Sequence, residues 1–134
     1  MHEQLSRLLG VAKRKQLIAS GAYSLMAIDH ARSGQPINVL PLGAQLPHEK
    51  TVALFKSEDL EVMRLVLVAG KSLPPHKVPG EITIQCIEGR IDVTVEGASH
   101  VLGPGQLLFL SGNVVHGVVA VESSSALVTI ALRK

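Results

Sequence analysis

Aromatic residues are nearly missing from this chain. Of its 134 residues only Tyr23, Phe55 and Phe109 are aromatic, 2% of the total, and there is no tryptophan. A surface that stacks the bases of a single nucleic-acid strand needs several such rings, so that class of partner is excluded. Cysteine is limited to Cys86, which excludes an internal disulfide framework and fits a reducing compartment. An excess of one charge is also lacking: a net charge of +2 is too small to select an anionic partner. No apolar run approaches the roughly 18 residues of a membrane span, and the first residues lack the charged-then-apolar order of a secretion signal. A cytoplasmic protein with neither nucleic acid nor membrane as partner is expected.

What the chain does have is aliphatic bulk. Apolar residues make up 46% of it, so the core must be built from Val, Ile and Leu, which suit a pleated sheet. The length predicts one domain with a sizeable core. Residues 2–20 read as a helix: Leu5, Leu8, Leu9 and Ala12 recur at three-to-four spacing, and Lys13-Arg14-Lys15 follow. The phrase LSRLLGVAKRKQLIASG resembles the first part of a helix-turn-helix, but a DNA reader needs a second, recognition helix. Here Gly34, Pro36 and Pro41 follow instead, and a solvated basic helix face is the expectation. Residues 22–30 fit either an extension of the helix or a strand. Residues 34–50 are loop-like, with one apolar triplet, Asn38-Val39-Leu40.

From residue 51 the pattern turns to short alternating runs separated by Gly, Ser and Asn. Strands are predicted at about 51–56, 61–69, 82–88, 91–96, 99–102, 107–110, 115–122 and 126–132, with no helix between them. This spacing implies an all-β sandwich or barrel. Residues 87–93 read as a tight hairpin around Glu88-Gly89-Arg90. The stretch 70–89, GKSLPPHKVPGEITIQCIEG, is the centre of the pattern. Its Pro74-Pro75 step is read as an extended entry to His76, and the Pro79-Gly80 turn opens the strand that starts at Ile82. A His at the mouth of such a strand is where a small barrel places a pocket residue.

These residues resemble the two motifs of the cupin family, in its small single-domain, RmlC-like form. The first motif runs Gly, five residues, His-x-His, three or four residues, Glu, six residues, Gly; here Gly70, His76, Val78, Ile82 and Gly89 occupy those places. The second runs Gly, five residues, Pro-x-Gly, two residues, His, three residues, Asn; here Gly105, Ser111, Asn113, His116 and Ala120 occupy them. The resemblance implies a double-stranded β-helix (a jelly-roll barrel) over residues 51–134. An N-terminal helix and irregular arm over residues 1–50 would pack on the barrel or on a partner subunit, and homodimers are implied.

The departures bear on function. The family's metal ligands are two His and a Glu from the first motif and a His from the second. With Val78 and Ile82 in two of those places, only His76 and His116 remain, too few for a committed first-row site. Glu81 stands one residue early and by alternation should face away, as an exposed loop carboxylate. His76, Val78, Ile82, Ile84, Cys86, Phe109 and His116 are therefore expected to line a ligand pocket, with Leu65 and Leu67 as further wall candidates. Cys86 shares the parity of Ile82 and Ile84; it reads as a small core hydrophobe, with a soft third ligand as the alternative. His2, His30, His48 and His100 read as surface residues, although Leu46-Pro47-His48 echoes the entry to His76 and could fold over a barrel mouth.

The expected function is binding of a small, partly apolar molecule in the barrel, with at most a weak divalent metal (Zn, Fe, Ni or Mn) on the two histidines. The alternatives are a metal-dependent dioxygenase or isomerase using His76 and His116, and a sensory ligand-binding module.

Overall fold

The alternation that begins at Thr51 folds into nine antiparallel strands. The computed structural model describes residues 30–132. The helix expected over 2–20, His2, and the undecided stretch 22–30 up to its last residue lie outside them. The strands are β1 Val52–Lys56, β2 Leu60–Leu67, β3 Ser72–His76, β4 Ile82–Glu88, β5 Ile91–Val95, β6 Ala98–Leu102, β7 Leu107–Leu110, β8 His116–Ala120 and β9 Ser124–Ala131. They form a five-stranded sheet in the order β1-β2-β9-β4-β7 and a four-stranded sheet in the order β3-β8-β5-β6. The cupin-type, all-β expectation is met.

Alternate residues decide which side of each strand is buried. In β4, Ile82, Ile84 and Cys86 point between the sheets, against Ile130, Val128 and Ala126 of β9. Met63 and Leu65 of β2, Val93 of β5 and Val118 of β8 complete the same core. With no Trp and few rings, the space is filled by branched aliphatics, which hold defined rotamers on a pleated surface.

Two expectations are corrected. β3 falls where only an extended entry to His76, and no paired strand, was expected, because Pro74 and Pro75 argue against a ladder strand. It is the outermost strand of its sheet, and there a missing N–H breaks no central ladder. Conversely, residues 87–93 do not make a hairpin. β4 belongs to one sheet and β5 to the other, and the chain crosses between them at Gly89 (φ 80°). A Cβ there would collide with the Ser123 carbonyl and the Ser124 hydroxyl, so glycine serves a crossing and not a turn within one ladder.

Between Cys86 and Glu88 the β4–β9 register shifts by a bulge, which sends Glu88 to the outer face beside Ser125. That face also carries Arg64. Together the two hold residues 38–43 as a strap. The Arg64 guanidinium donates to the carbonyls of Leu40 (2.8 Å) and Asn38 (3.3 Å). The Glu88 carboxylate accepts the N–H groups of Leu42 and Gly43, both at 2.9 Å, and the Ser125 hydroxyl. A 3₁₀ turn over Gly43–His48 follows, with Leu46 buried and His48 exposed. The loop-like reading of 34–50 thus holds, apart from that turn, but the described part of the segment is tied to the sheet's outer face.

Burial alone would raise the Glu88 pKa, but the Ser125 hydroxyl, the two amides and Arg64 hold it below the ordinary 4.5. Charged hydrogen bonds of this kind contribute about 1.5–3 kcal/mol each at most, and less where water reaches them. Glu88→Gln should therefore lower the unfolding free energy by about 1–3 kcal/mol at pH 7 and speed amide exchange at Leu42 and Gly43. The difference from wild type should shrink as pH falls below 4.5 and the wild-type carboxylate protonates. Denaturant titration and hydrogen exchange at both pH values check this.

Candidate functional site

His76 closes β3 and His116 opens β8, and the two are direct register partners across that edge pair. Their ring centroids lie 4.5 Å apart, tilted by 50°. Each ring is held the same way: His76 Nδ1 bonds the Pro74 carbonyl and His116 Nδ1 the Val114 carbonyl, both at 3.0 Å. A carbonyl oxygen can only accept, so each Nδ1 carries the proton, and in the neutral ring the lone pair sits on Nε2. The sequence builds this from two short extended segments that each run into a His.

Both rings line a cavity between the sheets of about 20 Å³, together with Leu65, Leu73, Ile82, Ile84, Val118, Val128 and Ile130. That space holds about one water-sized group. Of the residues expected at the pocket, His76, Ile82, Ile84, His116 and Leu65 are among its lining. Val78 and Cys86 are buried in the surrounding core but do not line it, and Leu67 is partly buried against that core.

Phe109 is a correction. It lies across from Thr83 on the outer face and is 58% exposed, while Leu108 and Leu110 turn inward. β7 is only four residues long, and its apolar run LLFL gives no alternation from which to read facing. The lining residues that sequence reasoning passed over are Leu73, Val118, Val128 and Ile130. Leu73 was hidden because β3 was not recognised. The other three follow the inward parity of β8 and β9, a signal that was available.

The loops at the mouth fix the geometry. Asn113, in a left-handed conformation (φ 63°), donates its N–H to the Val78 carbonyl at 2.7 Å. Gly112 packs directly on the Pro79 carbonyl, where any Cβ would collide. The turns of the two motifs are thereby clamped to each other, which places His116 opposite His76.

Burial in this aliphatic setting lowers the His116 pKa below the ordinary 6.5; the Val114 carbonyl opposes that, and His76 adds to it. A neutral imidazole is the resting form at neutral pH. Burial likewise pushes the Cys86 thiol up, so it stays protonated and unreactive. Glu81, His30, His48 and His100 are all exposed, with His48 on the 3₁₀ turn and His100 on β6. Among the described residues no group of three or more His, Cys, Asp or Glu is placed to hold a metal ion. Two imidazoles in an aliphatic cavity do not fit the three-or-more-ligand centre that the resemblance implies.

Several solved structures share this architecture. A conserved protein of unknown function from Streptococcus pyogenes superposes with a TM-score of 0.63 at 19% identity, over 81% of this chain and 98% of that one. An RmlC-like cupin from Shewanella frigidimarina gives 0.61 at 21% identity, over 79% and 93% of the two chains. An RmlC-like cupin from Desulfovibrio desulfuricans gives 0.59 at 26% identity, over 76% and 97%. No curated protein sequence matches the chain significantly. The family model described as the cupin domain matches residues 63–132, just over half of the sequence and a span that takes in both histidines. With the two-sheet fold and the paired motif turns beside that match, the chain belongs to the cupin family.

Proposed function

We propose that this cupin binds a small, mainly apolar molecule whose one polar group sits between His76 and His116, without a committed metal. The observation that carries the reading is the lining: seven aliphatic side chains surround two imidazoles, with no carboxylate among them. Such a wall gains from burying hydrocarbon, about 25 cal/mol per Å². The two Nε2 lone pairs supply orientation by accepting from a hydroxyl or amide of the ligand. Since the cavity measures only about 20 Å³, the ligand seats its polar tip inside while its body extends through the mouth. Any divalent ion on these two rings would be weakly held and readily exchanged.

Three outcomes are expected. Elemental analysis of untagged protein, purified without chelators, should find metal well below one per chain, and a His76→Ala/His116→Ala variant should leave the value unchanged. Near-stoichiometric metal, lost in that variant, would instead favour the dioxygenase or isomerase reading, which rests on the two histidines being register partners.

Isobutanol serves as a probe of the wall and the hydrogen-bond acceptors together. In an NMR titration it should shift the methyl signals of Ile84 and Val128, and His116→Leu should weaken that response. Shifts confined to exposed methyls would contradict the proposal.

Acidification supplies the third check. Between its lowered pKa and 6.5, His116 binds fewer protons in the folded than in the unfolded chain, so stability falls as pH drops through that window. The urea midpoint of wild type should fall from pH 7 to pH 5 more steeply than that of His116→Gln. Glu61, whose pKa burial raises against the pull of Lys56, titrates in both proteins and cancels in the comparison.

A further inference from the structure

The histidine pair presents two acceptors to the cavity and no donor. Among the described residues each ring is hydrogen-bonded through Nδ1, His76 to the Pro74 carbonyl and His116 to the Val114 carbonyl, both at 3.0 Å. Those bonds use the single N–H of a neutral imidazole, so Nε2 keeps its lone pair in both rings. The rest of the lining is Leu, Ile and Val, and no side chain there donates either. Two lone pairs brought together inside an aliphatic wall are costly to leave unpaired. The ring centroids are 4.5 Å apart, and two hydrogen bonds of ordinary length from one atom span up to about 6 Å. One atom seated between the rings therefore reaches both, if it carries two hydrogens.

Resting on the pocket reading above, we infer that the polar tip of the ligand is an uncharged primary amino group conjugated to an apolar body, the chemical class of a primary arylamine. The cavity of about 20 Å³ takes one group the size of a water, and a water has two hydrogens to donate. A group that takes that place without loss must make both bonds. A hydroxyl has one hydrogen and leaves one Nε2 unpaired. A carboxylate or a ketone has none.

An alkylammonium has enough hydrogens, but it brings a charge into a lining without a carboxylate, where its lost hydration is not offset. A carboxamide supplies two N–H donors and adds a carbonyl that this wall cannot serve. In an arylamine both hydrogens donate, while the nitrogen lone pair is delocalised into the ring and needs no partner. The ring is then the apolar body that passes out through the mouth.

The test titrates the full chain with aniline and with phenol at pH 8, where an imidazole of ordinary pKa is neutral. Binding is followed by the methyl signals of Ile84 and Val128 and by the nitrogen-15 signals of the two rings. Aniline should move the Nε2 signals of His76 and His116 together, with one Kd. His116→Leu should weaken aniline roughly 2- to 10-fold more than phenol, because aniline loses a bond and phenol keeps its one bond through His76. His76→Leu should do the same, with phenol held by His116. The ratio of the two probes cancels what either substitution does to the wall, and if a variant does not fold, the nitrogen-15 result on wild type decides. The inference is overturned if aniline moves the methyls but not both Nε2 signals, or if the variants weaken the two probes equally. It is also overturned if phenol or isobutanol enters and aniline does not. In each of these cases the pocket reading survives. If none of the three probes moves the two methyls, the pocket reading itself fails, and the inference with it.

Discussion

The pairing of β4 with β9 is the constraint on which the rest of this molecule depends. It puts Ile82, Ile84 and Cys86 opposite Ile130, Val128 and Ala126; all six lie in the core, and Ile82, Ile84, Val128 and Ile130 also line the pocket. A register slip of one residue would turn the whole set to solvent, so hydrophobic burial specifies the pairing. The one departure from it, the bulge after Cys86, is what frees Glu88 to work on the opposite face. A single strand pair thus supports the cavity on one side and the strap on the other.

The two histidines are held in place by the scaffold itself. Their rings are positioned by backbone carbonyls and by clamped turns, features that do not depend on an ion. What would otherwise be ligand positions are apolar, Val78 within the core and Ile82 in the cavity wall. In a low-dielectric setting a cation without carboxylates gains little to offset its lost hydration. A neutral imidazole at His116 is favoured there by the same desolvation that lowers its pKa.

Much of this was readable in the sequence, because period-two alternation and Gly-rich punctuation are strong signals in a chain with no described α-helix to confuse them. Eight strands and the burial of Cys86 follow from parity and punctuation, and the meeting of His76 with His116 is what the family resemblance implies. What escaped has physical reasons. β3 carries two prolines that only an edge position tolerates, and whether a strand is an edge is a property of the sheet and not of the strand. Phe109 sits in a run without alternation, where facing is set by its neighbour Thr83. The backbone carbonyls of Asn38 and Leu40 gain their role from Arg64, which is remote in sequence and carries no mark of its function. Glu88 is similar: by count alone it shares the parity of Cys86, and only the bulge reverses it.

Pro74 and Pro75 have a further effect on the whole molecule. The outer edge of an open sheet presents unpaired N–H and C=O groups, a template on which another chain can add a strand and begin fibrillar growth. Backbone N–H groups alternate sides along a strand, so of these two successive prolines one removes a donor from that template beside the histidine pair. The edge beside the histidine pair is therefore bordered by backbone that resists zippering to a neighbouring chain at the high local concentrations in which β-rich proteins tend to aggregate.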